Sequence, residues 1–346
     1  MSAAEDQDRR WMRRALREAR RGIGLTSPNP PVGAVIVGKD GTVLASGWHH
    51  RAGDVHAEID ALRKIPAAQG GRLKSATLYV TLEPCSTHGK TPPCTEALCT
   101  AGLKRVVWAM DDPNPRHAGR AAEMLAAAGI AVISGICQDE AARLLAPWRK
   151  FITTGLPWVV AKAGVSVDGR MTRPEGEGQW LTNDRSRRDA MQLRLHADAI
   201  LVGGETVRTD NPRLNLRGIR IPKEKQASWR VVWTKSGNLP PGCHLLTDEL
   251  RERTLIMQCK PLEQVLRELA AMGVVSVLVE GGGTLLAAAF SAGLVDEFHA
   301  YVAPLITGGG VPVVDPTAFG SGASIPLKLA GTRRIGDDVK LSYRRQ

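Results

Sequence analysis

Aromatic residues are scarce in this chain: Phe, Tyr and Trp together make up 4% of its 346 residues. Proteins that grip single-stranded nucleic acid stack bases on such rings, so a stacking surface is disfavoured. Also missing is any run of about eighteen apolar residues, which excludes an ordinary membrane-spanning helix. The basic stretch Arg9 to Arg21 lacks the uninterrupted apolar centre of a secretion signal. It reads instead as a surface helix that turns Trp11, Ala15, Leu16 and Ala19 inward. Six cysteines in so long a chain do not build a disulfide framework, and the expected compartment is a reducing cytoplasm.

What is present in quantity is apolar residues and positive charge. A hydrophobic content of 43% over this length supplies cores for two ordinary domains. The formal net charge of +11 suits phosphate-bearing ligands. With few aromatics beside it, that charge points to small phosphorylated partners rather than nucleic acid or membrane, and a homo-oligomer stays open.

The most informative residues are His56, Glu58, Cys85 and Cys94. Imidazole and thiolate are zinc ligands, and a catalytic zinc site has three protein ligands with one position left for water. His56, Cys85 and Cys94 supply three. Such a metal brings the pKa of its water to about 7, and a carboxylate that is not a ligand can then carry protons to a leaving amine. Glu58 is placed for that task. Zinc deaminases carry the same logic as H-x-E followed by P-C-x-x-C, but here eight residues separate the cysteines. A closed structural site is the competing reading. Cys99 is badly placed to complete one, since five residues along a helix from Cys94 it lies about 140° round the axis, whereas His49, His50 or His88 remain open as a fourth ligand.

Through about residue 150, strands expected at Val32 to Val37, Thr42 to Gly47, Thr77 to Leu82 and Arg105 to Ala109 alternate with helices. The helices are expected at Arg9 to Arg20, Ala57 to Lys64, Thr95 to Ala101, Gly119 to Ala128 and Asp139 to Lys150. This is an α/β/α layer over residues 1–152. Turn residues at Thr153 to Pro157 open a second α/β domain, 153–346. There the buried strand Val277-Leu278-Val279-Glu280 runs through Gly281-Gly282-Gly283 into a helix, and Gly203-Gly204 follows another strand. Glycines let a ligand approach the backbone, and free N–H groups at a helix start favour anions. The pattern is not G-x-G-x-x-G, because Leu286 stands where the last glycine belongs.

The ordered set Pro28-Asn29-Pro30-Pro31-Val32-Gly33, His56-Ala57-Glu58, Glu83-Pro84-Cys85 through Pro92-Pro93-Cys94 and Asp112-Pro113-Asn114-Pro115 resembles the bifunctional deaminase-reductase family of riboflavin biosynthesis. The likeness continues through Lys162 to Arg170, Gly178-Gln179-Trp180-Leu181-Thr182, Thr206 to Pro212 and Val279-Glu280-Gly281-Gly282, covering nearly the whole chain.

The resemblance implies a cytidine-deaminase-like N-terminal domain and a dihydrofolate-reductase-like C-terminal domain. The first would hydrolyse the 2-amino group of 2,5-diamino-6-ribosylamino-4(3H)-pyrimidinone 5′-phosphate at one zinc ion. The second would reduce the ribosyl group to ribityl with NADPH. Glu58 would protonate the ring nitrogen and the departing amine, Asn29 and His49 would hold the pyrimidine-ribose part, and Lys90 would meet the phosphate. Gly164, Trp180, Thr206, Asp210 and the run Gly282, Gly283, Thr284, Leu285, Leu286, Ala287 and Ala288 would surround NADPH. Gly178, Arg194, Leu214, Arg217 and Glu280 would meet the reductase substrate.

The chain departs from the family at Thr87, where many relatives carry histidine, and at Glu205, Arg208, Asn211 and Thr234-Lys235. The reduction also needs an acid, for which Lys162, Asp168 and Glu280 all remain candidates. The rival reading is a tRNA-type zinc deaminase with an accessory domain, which shares H-x-E but not the cysteine spacing.

Overall fold

A computed structural model describes residues 3–87, 92–114, 119–178, 180–320 and 324–345. The chain forms two units, Met1–Gly155 and Leu156–Gln346. The sequence places the junction after residue 152; helix continues to Thr154, and Gly155 ends it in the left-handed region.

The first unit is built on a five-stranded sheet of order β2-β1-β3-β4-β5, comprising β1 (Gly33–Val37), β2 (Val43–Trp48), β3 (Thr77–Val80), β4 (Arg105–Trp108) and β5 (Ala131–Ile133). β1 runs antiparallel to β2 and β3, while β3, β4 and β5 are parallel. The helices are α1 (Ala3–Arg20), α2 (Ala57–Arg63), α3 (Cys94–Ala101), α4 (Arg120–Ala127), α5 (Gln138–Leu144) and α6 (Ala146–Thr154). α1 begins six residues before its expected start at Arg9 and buries Trp11, Met12, Ala15, Leu16 and Ala19.

One sequence expectation fails here. The single helix read over Asp139 to Lys150 is two helices broken at Leu145. Pro147 is the reason, since it has no N–H to give and its ring clashes with the preceding turn, so it is tolerated only where a helix starts.

Gly47 decides where α2 can lie. A Cβ there would sit 2.4 Å from Ala57 O and 2.5 Å from Ala61 N, so the helix rests directly on the β2 backbone. His56 and Glu58 thereby come to lie against the sheet. Gly47→Val is expected to unseat α2 at a cost of about 3 kcal/mol, as overpacking does. Denaturant unfolding together with zinc content of the purified variant checks this, and both should fall.

The second unit is an eight-stranded sheet of order β12-β13-β11-β6-β10-β7-β8-β9. Its strands are β6 (Trp158–Ser166), β7 (Ala199–Gly203), β8 (Trp229–Thr234), β9 (Thr254–Gln258), β10 (Ser276–Val279), β11 (Glu297–Ala303), β12 (Leu327–Ile335) and β13 (Asp338–Arg345). The first six are parallel; β13 and β12 close one edge as an antiparallel hairpin. The helices are α7 (Asp184–His196), α8 (Gly204–Asp210), α9 (His244–Thr247), α10 (Leu262–Ala271) and α11 (Gly283–Ser291). Val159, Ala161, Leu201, Val231, Val277, Leu266 and Leu286 anchor the main core.

β10 enters the sheet between β6 and β7 after the chain has already reached its far edge at β9. The order therefore reverses there, and ligands of open parallel sheets bind beyond the strand carboxyl ends at such a reversal. The glycine turns after β7 and β10 lie at that place.

Candidate active sites

His56 caps α2, Cys94 is the first residue of α3, and Cys85 lies on the loop after β3. The His56 Nδ1 atom is 3.5 Å from Cys85 Sγ and 3.3 Å from Cys94 Sγ. Their ligand atoms all fall within 4.8 Å of one another. A tetrahedral zinc with ordinary Zn–S and Zn–N bonds separates nitrogen from sulfur by about 3.5 Å, so the spacing fits this ion. The electrostatics agree. Hydrogen bonding with Cys94 pushes the Cys85 thiol down to about 4 against burial that would raise it, with His56 helping. Cys94 is pushed up by Cys85 and by burial. Two sulfurs that compete for one negative charge call for a cation between them.

Cys99 Sγ faces Met124 O at 3.9 Å and takes no part in this cluster. His49 is spent elsewhere too: its Nδ1 lies 3.0 Å from Val55 O and must donate there, which leaves Nε2 to accept from Asn29 Nδ2 at 3.0 Å. His50 Nε2 sits 3.4 Å from Asp60. Among the described residues the set therefore stays at three ligands.

Glu58, in the first turn of α2, is 3% exposed, and burial pushes its carboxyl up from the ordinary range. Asn29 is held by a reciprocal turn, its N–H donating to Thr26 O at 2.8 Å and its carbonyl accepting from Thr26 Oγ1 at 2.9 Å. His49 and His56 meet edge to face with ring centroids 5.4 Å apart. Asn29, His49, His56 and Glu58 thus form one neighbourhood, whereas Lys90 lies outside the described residues.

Glu83 was not singled out from the sequence. Buried, it accepts from the N–H groups of Asp112 (3.1 Å), Gly119 (3.0 Å) and Ala121 (3.4 Å), tying the loop before α4 to the strand that leads into Cys85. The signal was its place two residues before a ligand. A carboxylate there looks catalytic in sequence, and only the fold shows it to be an anchor.

In the second unit, Glu280 and Arg194 form a bidentate pair at 2.7 and 2.8 Å, with side chains 9% and 8% exposed. Lys162 Nζ lies 3.8 Å from Glu280. Burial alone would raise the Glu280 carboxyl; Arg194 and then Lys162 outweigh it and hold it at about 2. Arg217 feels the charges of both Arg194 and Glu280, and its own pKa is lowered by burial first. Three cations therefore face one carboxylate, a balance suited to a phosphorylated ligand. Asp168 stands apart from this group. It accepts from the N–H groups of Thr307 (3.1 Å) and Gly308 (2.9 Å) and so anchors that loop.

The two glycine turns abut. A Cβ on Gly282 would find nothing nearer than Thr206 Oγ1 at 3.7 Å, and one on Gly203 nothing nearer than Leu285 Cβ at 4.0 Å. That open backbone fits a diphosphate. Leu285, Leu286 and Ala287 bury their side chains, so a cofactor would meet this run through the N–H groups of Gly283 and Thr284. Trp180 is 52% exposed with the Arg187 guanidinium 5.2 Å above its ring. Gly164 faces Thr182, Gly178 is left-handed, and Asp210 ends α8 on the surface.

Comparison with known proteins identifies both domains. Residues 5–110 match the cytidine and deoxycytidylate deaminase zinc-binding region, and residues 157–341 match the RibD C-terminal domain. The riboflavin biosynthesis protein RibD of Escherichia coli K12 is 40% identical over 331 residues, covering 87% of this chain and 89% of that protein. The RibD of Bacillus amyloliquefaciens is 37% identical, covering 96% and 95%. Acinetobacter baumannii RibD superposes with a TM-score of 0.89 at 35% identity, covering 99% of each chain. A diaminohydroxyphosphoribosylaminopyrimidine deaminase/5-amino-6-(5-phosphoribosylamino)uracil reductase from Thermotoga maritima gives 0.88 at 30%, covering 99% and 100%. The first unit is accordingly a deaminase-like α/β domain with a zinc-binding His-Cys-Cys triad, and the second is a reductase domain of dihydrofolate-reductase-like fold. The chain belongs to the RibD family of bifunctional deaminase-reductases in riboflavin biosynthesis.

Proposed function

We propose that the first unit removes the 2-amino group of 2,5-diamino-6-ribosylamino-4(3H)-pyrimidinone 5′-phosphate as ammonia, and that the second reduces the ribosyl group of the product with NADPH. The observation that carries the first half is a three-ligand set able to hold zinc with a buried carboxyl, Glu58, two residues from one ligand. His56, Cys85 and Cys94 would hold the zinc, which would supply a water acidified to a pKa of about 7. Glu58 takes a proton from the attacking water as its oxygen adds to the ring carbon. It passes protons to the ring nitrogen and to the departing amine, so water and an aminopyrimidine become a carbonyl and ammonia. Asn29 and His49, already hydrogen-bonded to each other, orient the pyrimidine-ribose part, and Lys90 meets its phosphate.

In the second half, Gly282, Gly283, Thr284 and Thr206 would hold NADPH, which would supply the hydride. Opening the ribosylamine to its imine form leaves the ring oxygen in need of a proton. Glu280 is held as a carboxylate by Arg194, and Asp168 is committed to the Thr307 loop, so the proton falls to Lys162. Arg217, with Leu214 and Gly178 near it in the substrate reading, takes the phosphorylated end.

A chelator tests the division of labour. Stripping zinc is expected to stop ammonia release while leaving reduction of a supplied deaminated pyrimidine intact, and added zinc should restore the first activity. Loss of reduction along with ammonia release would break the assignment.

A further inference from the structure

Two buried arginines, each locked by its own carboxylate, reach the same irregular segment. Arg194 spends Nε and Nη2 on Glu280 and gives Nη1 to Asn215 O at 3.0 Å. Arg230, on β8 and 0% exposed, pairs with Asp248 at 2.7 and 2.8 Å and gives Nη1 to Arg213 O at 3.1 Å. Its other donors go to Leu245 O and Thr254 Oγ1, both at 3.1 Å.

The two carbonyls flank Leu214, which is left-handed at φ +50° and 4% exposed among Ile200, Val202, Val207, Val232, Cys243 and Leu245. Asn211, at φ +42°, takes the His244 N–H on its side chain at 2.8 Å. A leucine has no local cause to be left-handed, because its Cβ crowds the following carbonyl. The conformation must be imposed by what holds the segment. Arg217 follows directly, its Nη1 on Asn215 Oδ1 at 3.2 Å.

A buried ion pair is weak evidence of stability, since well-packed apolar residues often serve as well. What apolar residues cannot do is aim a donor at one chosen carbonyl, and the rigid guanidinium fork can. We propose that Arg230 is a positioning residue for the reductase substrate: with Arg194 it pins the carbonyls on either side of Leu214 and so fixes where Leu214 and Arg217 stand. The inference rests on the assignment of those two residues to the substrate. Arg230 itself touches none of the reacting groups.

The test uses the full chain carrying Arg230→Lys, supplied with the deaminated pyrimidine and NADPH. KM for the pyrimidine is expected to rise about tenfold with kcat nearly unchanged, the pattern of lost ground-state binding. NADPH affinity, read by quenching of tryptophan fluorescence, and ammonia release by the first unit should stay at wild-type values. An unchanged KM, or KM, kcat and NADPH affinity all worsening together, overturns the proposal. If Arg230→Lys does not fold, Asp248→Asn decides: a smaller rise in KM alone supports the role, and none refutes it. Arg217→Ala run alongside separates the two layers. Should it leave KM unmoved, the substrate assignment fails; should it raise KM while both pair variants do not, only the positioning role fails.

Discussion

Glu58→Ala is expected to cut ammonia release by at least about 10²-fold, and up to about 10⁴-fold, the range lost with a positioned acid-base group. The same protein should still reduce a supplied deaminated pyrimidine with NADPH. Glu58 is 3% exposed and makes no ion pair among the described residues, and burial holds its carboxyl high. Such a group is kept in the core at some cost to stability, so its removal should leave the fold intact or slightly firmer. Cys94 shares a hydrogen bond with Glu58, but the three ligand atoms come from His56, Cys85 and Cys94 themselves, and zinc content should stay near wild-type level. Glu58→Gln distinguishes proton transfer from shape, because the amide fills the same space without carrying the proton. Both variants are assayed for ammonia, for reduction and for bound zinc. A variant that loses zinc as well would show that Glu58 supports the metal site instead of the proton path.

Glu280→Gln should act on the other half only. Breaking a buried ion pair by removing one partner typically costs about 3–5 kcal/mol, because the remaining charge stays buried. Here Arg194 loses its bidentate carboxylate and Lys162 its counter-charge. Reduction should fall severely and the second unit should unfold at lower denaturant, while ammonia release persists.

The pH dependence has a definite sign. The folded Glu280 carboxyl titrates at about 2, below its ordinary 4.5. Its contribution to stability is therefore fully present above pH 4.5 and fades as pH falls toward 2. Denaturant unfolding of the second unit over that window should show an acid slope in the wild type that is shallower in Glu280→Gln. Equal slopes would remove Glu280 from the account of acid stability.

The zinc residues were readable in the sequence because metal chemistry tolerates few residue types, and because His56 and Cys94 both stand where helices begin. The buried strands β1, β3, β4 and β10 were readable as short apolar runs bounded by turn residues. What escaped was decided by partners far along the chain. The β12-β13 hairpin carries Lys328, Arg333, Arg334, Lys340, Arg344 and Arg345 and exposes most of β12, so it lacks the alternating pattern of a half-buried strand. Its one local signal was Gly336-Asp337 as a two-residue turn between Ile335 and Asp338, with Gly336 at φ +65°. Arg230 and Asp248 are eighteen positions apart and resemble any surface charges until β8 buries one of them. The proposal of Lys162 over Asp168 and Glu280 likewise draws on contacts invisible in the sequence, Asp168 with the Thr307 loop and Glu280 with Arg194.

The most direct test of two consecutive reactions on one chain is to give the protein the diaminopyrimidine ribosyl phosphate, first without and then with NADPH. Ammonia and the absorbance of the reduced cofactor are followed together. Ammonia should appear without NADPH, and NADPH added afterwards should be consumed in equal amount. No ammonia from this substrate, or NADPH consumed before any ammonia is released, would contradict the account.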